Sequence, residues 1–119
     1  MTLGGQAETW ACQHIQQHGW QVIKRNFSWR GGEIDIIATQ ADQLAFIEVR
    51  CRRSKSMGGT LASINMAKQK RIINTAKLFL QQYSHYQEYQ CRFDVVIING
   101  THGQQLKLQW LKDAFQVID

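Results

Sequence analysis

The chain contains no proline, and no stretch of it reads as low-complexity sequence or as an internal repeat. Without the composition shifts that mark a linker, one continuous domain over residues 1–119 is expected. No apolar run approaches the roughly 18 residues that a membrane-crossing helix needs, and the first residues lack the basic-then-apolar order of a secretory signal. A cytoplasmic protein with no membrane partner is therefore expected. Cysteine is scarce as well. Cys12, Cys51 and Cys91 are an odd number with no close pair, which points away from a zinc knuckle and from a disulfide framework, so they read as reduced packing thiols. His14 and His18 stand at helical spacing without the HExxH carboxylate between them, which argues against a zinc site.

Acidic residues are the minority charge. Nine Asp and Glu face 14 Lys and Arg, a formal net charge of +5, and the excess is clustered. The clusters are Lys24, Arg25 and Arg30; Arg50, Arg52, Arg53 and Lys55; and Lys68, Lys70 and Arg71. Solvated surface charge would look the same, but grouped cations are also the footprint of a polyanion partner.

Periodicity supplies the organisation. Ala7, Trp10, Ala11, Ile15 and His18 fall on one stripe of a first amphipathic helix over residues 6–18, with Gly19 as its stop. Residues 20–24 read as a strand and 25–32 as a basic, aromatic loop closed by Gly31 and Gly32. Two β-rich runs, 33–39 and 44–51, flank a short polar link of the kind that closes a hairpin. After a loop over 54–59, Ser63 or Asn65 caps a long second helix reaching Tyr83, its stripe formed by Ile72, Ala76, Phe79, Leu80 and Tyr83. A strand over 92–98 ends at Asn99-Gly100, and Leu106, Leu108 and Trp110 alternate through a last one. The order αβββαββ predicts an α/β fold, a mixed β-sheet flanked by helices.

The chemistry is concentrated in the hairpin. Gly32-Glu33-Ile34-Asp35-Ile36-Ile37-Ala38 and Phe46-Ile47-Glu48-Val49-Arg50 place acids inside apolar strands. Side chains alternate along a strand, so Glu33 and Asp35 share a face, as do Glu48 and Arg50. A symmetric turn between Ala41 and Asp42, carried outward, sets Asp35 opposite Glu48 and Glu33 opposite Arg50. Opposed carboxylates about 5 Å apart repel in a partly buried sheet. A hard cation offsets that repulsion, because Mg²⁺ takes one or two carboxylates together with waters and phosphate oxygens. The bland alternative is an acid pair solvated at a sheet edge or tied to nearby arginines; the aliphatic character of both faces argues against it. Glu8 borders the first helix's stripe, either as a third acid or as a glutamate favoured by the helix dipole. Lys68, one turn before Ile72, either reaches the same cleft or lies exposed on its helix. Phe27 and Trp29 are either core residues or aromatics that wedge into or stack on distorted DNA.

An aspartate on one apolar strand followed by Glu-x-Lys on the next is the metal-binding signature of PD-(D/E)XK nucleases. Asp35 with Glu48-Val49-Arg50 resembles it, and the predicted element order resembles their common core. Over nearly its whole length the chain more closely resembles the YraN family of uncharacterised bacterial proteins. The matching residues are Glu8 and Ala11, Arg25-Asn26, Gly32 through Ile37, Phe46 through Arg50, Lys68, Ala76, Arg92-Phe93-Asp94 and Ala114-Phe115. They are specific as a set and not singly. That family is similar in turn to archaeal Holliday-junction resolvases, which carry a helix glutamate, an aspartate and a Glu-x-Lys pair.

The resemblance implies a restriction-endonuclease-like fold, DNA as partner and Mg²⁺ or Mn²⁺ as cofactor. It implies endonucleolytic hydrolysis, with branched DNA in recombination or repair as a natural substrate. Glu8, Asp35 and Glu48 take the metal roles, and Asp35, Glu48, Arg50 and Lys68 the catalytic ones. Lys24, Arg25, Arg30, Arg52, Arg53, Lys55, Lys70 and Arg71 are expected to grip the DNA backbone. The departure is Arg50 where most nucleases have lysine. Arginine stays protonated, so it can hold a phosphate but not act as a base. That departure keeps two other classes open: a non-catalytic nucleic-acid-binding module on the same fold, and a protein-interaction domain whose acids form ordinary ion pairs. A homodimer would present paired sites to a two-fold junction.

Overall fold

The computed structural model describes residues 3–52, 64–100 and 106–117. Helix α1 (Leu3–Gln17) is followed by strands β1 (Gln21–Trp29), β2 (Gly32–Gln40) and β3 (Gln43–Arg52). Helix α2 (Met66–Gln82), a 3₁₀ turn at Ser84–Tyr86, and strands β4 (Gln90–Asn99) and β5 (Lys107–Phe115) complete the order. This is the α, three strands, α, two strands predicted above, in a single five-stranded sheet ordered β1-β2-β3-β4-β5. Neighbours are antiparallel except β3 and β4, which run parallel and so require the crossover that contains α2.

Local chemistry sets the boundaries. Gly19 at φ 86° ends α1, its N–H and that of His18 capping the carbonyls of Gln16 and Ile15. The β2–β3 hairpin closes through Ala41 and Asp42, with Ala41 in the left-handed region at φ 53°. Its register runs from Gln40↔Gln43 to Ile36↔Ile47, as the symmetric turn requires. Of the two proposed caps of α2, Asn65 fills the role: its side-chain oxygen accepts the Lys68 N–H at 2.9 Å. Ser63 and the loop expected over 54–59 lie outside the described residues.

Each face of the sheet carries one core. Ile72, Ala76 and Phe79 of α2 pack on Ile34, Ile37, Phe46, Val95 and Ile97. On the other face Ala7, Ala11, Cys12 and Ile15 of α1 pack on Ile36, Ala38, Ile47, Val96 and Ile98. The central strands β2 to β4 are therefore apolar on both sides, which is why their sequences read as near-continuous aliphatic runs.

Three expectations need correction. The segment expected as a loop from Arg25 continues β1 as far as Trp29, paired with the first half of β2; β1 is an edge strand, and the cations that suit an edge disguised it. The last strand continues past Trp110 to Phe115 across an irregularity between Phe93 and Val95 of β4, with Asp113 at φ 53°; the bulge breaks the alternation a sequence would show. All three cysteines are free, but only Cys12 is a packing residue, Cys51 and Cys91 being exposed. Among the described residues no helix is long and apolar enough to cross a membrane.

Candidate active site

Along β2 the alternation breaks at Asp35. Ile34 packs in the α2 core and Ile36 in the α1 core, although a regular strand would put both on one face. The neighbouring strand breaks at the same level, where Asn26 takes φ 54° between the pairs Arg25↔Ile36 and Phe27↔Ile34. The β2–β3 ladder pairs residues only as far as Ile36↔Ile47, and beyond it the Val49 N–H donates to Asp35 Oδ2 at 2.8 Å. A side chain has replaced a backbone carbonyl as acceptor, and the strands part around it.

Glu48 follows Ile47 on β3 and faces α2. Its side chain is 6% exposed. The Lys68 ammonium, one turn into α2, stands 3.0 Å from Glu48 Oε2, and Arg50 Nη1 lies 3.8 Å from the same oxygen. The Lys68 contact is close but off the line of a directed hydrogen bond, so it is an ion pair. Oε2, buried, has no hydrogen-bond donor.

Burial pushes the Asp35 carboxyl up from an ordinary value of 3.8 to about 8, reinforced by its hydrogen bond to Glu48 and by that residue's charge. The Val49 amide pulls the other way, and the charge of Glu8 adds a smaller upward push. Near neutral pH the Asp35 carboxyl thus keeps its proton.

A cleft of about 400 Å³ opens over these carboxylates, between the turn joining β1 to β2 and the first turns of α2. Lys68, Arg71, Ile72 and Thr75 recur at helical spacing, so one face of α2 meets the turn. Glycine sets how closely. A Cβ on Gly32 would lie 2.6 Å from Thr75 Oγ1 and 3.0 Å from the Arg71 carbonyl oxygen. Arg30 and Arg71 line the cleft with Lys68, giving it a cationic rim around an acidic floor.

The fold thus assembles Asp35, Glu48, Arg50, Lys68, Arg30 and Arg71. Other expected residues are not among those that line the cleft. Glu8, half-buried on α1, stands 3.8 Å from Arg25 Nη2, which also donates to Thr9. Lys24 donates to the Tyr83 hydroxyl at 3.3 Å, Arg52 to Asn99 Oδ1 at 2.8 Å, and Lys70 is exposed on α2. Glu33, by contrast, lines the cleft, exposed and opposite Ser28 of β1. Arg53 and Lys55 lie outside the described residues. Among the described residues no three His, Cys, Asp or Glu side chains are grouped to hold a metal. The acid pair still suits Mg²⁺, which commonly takes one or two carboxylates and fills its remaining positions with water and phosphate.

The profile of the uncharacterised protein family UPF0102 matches residues 7–98, from α1 through β4. The chain belongs to the UPF0102 family. Among its relatives is the UPF0102 protein of Pseudomonas putida KT2440, 47% identical over 116 residues that cover 97% of this chain and 94% of that one. The UPF0102 protein of Stutzerimonas stutzeri A1501 is 41% identical over 113 residues, 95% of this chain and 93% of that one. That of Pseudomonas aeruginosa LESB58 is 41% identical over 113 residues, 94% and 90% of the two chains. The UPF0102 match spans both carboxylates and every cation of the cleft, whereas β5 lies beyond it.

Proposed function

We propose that this UPF0102 protein is a divalent-cation-dependent DNA endonuclease, with Asp35 and Glu48 holding Mg²⁺ or Mn²⁺ and the cationic rim receiving the phosphodiester. One observation carries the reading: the half-buried Asp35 and the buried Glu48 stand together on the floor of a cleft rimmed by cations. Two carboxylates crowded in this way are costly to keep charged, and a dication relieves that cost more fully than a proton does. Bound there, the cation would supply Lewis acidity at the scissile phosphate and its attacking water.

The remaining work falls to the chain's own groups. The Val49 amide fixes the Asp35 carboxyl, which gives up its proton when the pair is fully charged. Lys68 and Arg50 hold positive charge beside Glu48 and steady the phosphate. Arg50 stays protonated throughout, so it binds charge and moves no proton. Arg30 and Arg71 extend the track along the backbone, in keeping with the net charge of +5. Branched DNA is the substrate suggested by the resemblance to junction resolvases.

A second reading, a DNA-binding module without cleavage, is favoured by the Lys68–Glu48 contact at 3.0 Å, since an ammonium there neutralises a carboxylate with no metal. Labelled four-way junction, duplex and single-stranded DNA, incubated with Mg²⁺, Mn²⁺ or chelator, separate the two. Metal-dependent cutting that disappears in an Asp35→Asn, Glu48→Gln double variant is expected. Salt-sensitive binding without cutting would replace the nuclease by the module. Neither binding nor cutting would leave a protein-interaction domain.

A further inference from the structure

Two aromatic side chains occupy the second half of β1, and the fold uses them differently. Phe27 is buried and meets Phe79 edge-on with ring centroids 5.3 Å apart, so it is a core residue. Trp29 is 40% exposed, yet it is held firmly. Its indole N–H donates to Thr75 Oγ1 at 2.8 Å, and the fully buried Thr75 hydroxyl donates in turn to the Arg71 carbonyl at 2.6 Å. A Cβ on Gly31 would lie 2.3 Å from Trp29 Cζ2 and 2.6 and 2.7 Å from Cη2 and Cε2. A point that near three successive ring atoms lies over the ring's face, because an in-plane approach to Cζ2 would leave its two neighbours much farther away. The ring is thus pinned along one edge by Thr75 and backed on one face by Gly31. With 40% of its surface exposed, it stands at the rim of the carboxylate cleft, which it lines together with Arg30 and Arg71.

We infer that Trp29 is a base-stacking platform: it takes one unpaired or extruded nucleobase whose neighbouring phosphate enters the cleft over Asp35 and Glu48. The inference rests on the nuclease reading of that cleft and adds a substrate class to it. A continuous duplex keeps its bases stacked on one another and offers a protein only its backbone and groove edges, so an immobilised indole face has no partner there. An unpaired base offers its π-face, and the energy needed to expose it is least at a single strand, flap, mismatch or branch. A freely rotating tryptophan would lose side-chain entropy on stacking, whereas this one is already fixed by Thr75 and Gly31. The preferred substrate is therefore DNA with unpaired nucleotides beside the scissile phosphate.

The test measures binding in chelator, where nothing is cut, with a fluorescently labelled single-stranded oligonucleotide and the same sequence as a perfect duplex. Wild type is expected to favour the single strand. Trp29→Leu should weaken single-strand binding by roughly 5- to 150-fold, the range for one base stacked on an aromatic side chain. The salt dependence should persist, since the phosphate contacts remain. Trp29→Phe, which keeps a ring, should recover part of the loss, and Gly31→Ala, which drives the indole off its seat without removing it, should reproduce part of it. A 2-aminopurine placed in the single strand should be quenched by wild type and not by Trp29→Leu. Circular dichroism checks that each variant folds, and the Phe variant keeps the comparison decisive if the Ala variant does not. If Trp29→Leu binds and quenches the single strand as wild type does, while wild type cuts DNA with Mg²⁺, the platform is refuted and the nuclease reading survives. If wild type neither binds DNA nor cuts it, both fall.

Discussion

Replacing Asp35 by asparagine keeps the shape of the side chain and an oxygen to accept the Val49 N–H, and it removes the charge. In the fold the Asp35 carboxyl titrates near 8 against an ordinary 3.8. Between those values the folded chain keeps a proton that the unfolded chain has lost. Stability therefore declines as pH rises, by up to about 1.4 kcal/mol per pH unit. Below about pH 4 both states are protonated, the group costs nothing, and its contribution is at its most favourable. Above about pH 8 the charged carboxyl sits half-buried beside Glu48, and the accumulated cost has a ceiling on the order of 6 kcal/mol. Water entering the open cleft lowers that ceiling, so a few kcal/mol is the expected size. Asparagine has no such slope. Urea unfolding in chelator, repeated from acidic to alkaline pH, should find the variant near wild type around pH 4 and progressively more stable than wild type up to about pH 8. A constant difference would refute the reasoning. So would a variant that loses ground as pH rises, because that would mean Lys68 and Arg50 hold Asp35 as a stabilised carboxylate.

Three further outcomes follow from the same geometry. Gly32→Ala should lower stability by about 1–3 kcal/mol in urea unfolding, because its Cβ would crowd Thr75 Oγ1 and the Arg71 carbonyl, neither of which is free to swing away. Asp94→Ala should cost about 3–5 kcal/mol by the same assay. That carboxylate is fully buried and accepts from Arg92 Nε at 3.1 and 3.2 Å, from Trp110 Nε1 at 2.9 Å and from the Asp113 N–H at 2.9 Å. Lys68→Ala should bind Mg²⁺ about fivefold more tightly in calorimetry, the ~1 kcal/mol of a partly exposed ion pair, while binding DNA less tightly.

The hairpin register was legible because two link residues fix it, and the aliphatic runs on either side allow no slip without turning a buried face outward. Asp35 and Glu48 fall on adjacent strands by the same register. The sequence did not reveal that the ladder opens beyond Ile36↔Ile47, since the break depends on Asn26 in the neighbouring strand and on an amide captured by a side chain. Arg71 was legible as part of a basic cluster on the second helix, and Thr75 was readable in principle from the three- and four-residue spacing that singled out Lys68 and Ile72. Glu8 was legible as an acid bordering the stripe of α1, but its contact with Arg25 depends on how α1 lies over β1. Asp94 shows a similar limit. Its motif was visible in the sequence, whereas its role as an internal anchor arises from the bulge between β4 and β5.

The most direct test is a calorimetric titration of Mg²⁺ into the protein at pH 7, run in two buffers of different protonation enthalpy to count the protons released. With Asp35 titrating near 8, about nine-tenths of the molecules hold its proton at that pH. A cation held by Asp35 and Glu48 should therefore release close to one proton per ion bound, and Asp35→Asn should abolish that release and weaken binding. Binding without proton release, or binding unchanged in the variant, would place the cation elsewhere. Absence of Mg²⁺ binding in wild type would make the acid pair a structural hydrogen bond and contradict the nuclease reading at its centre.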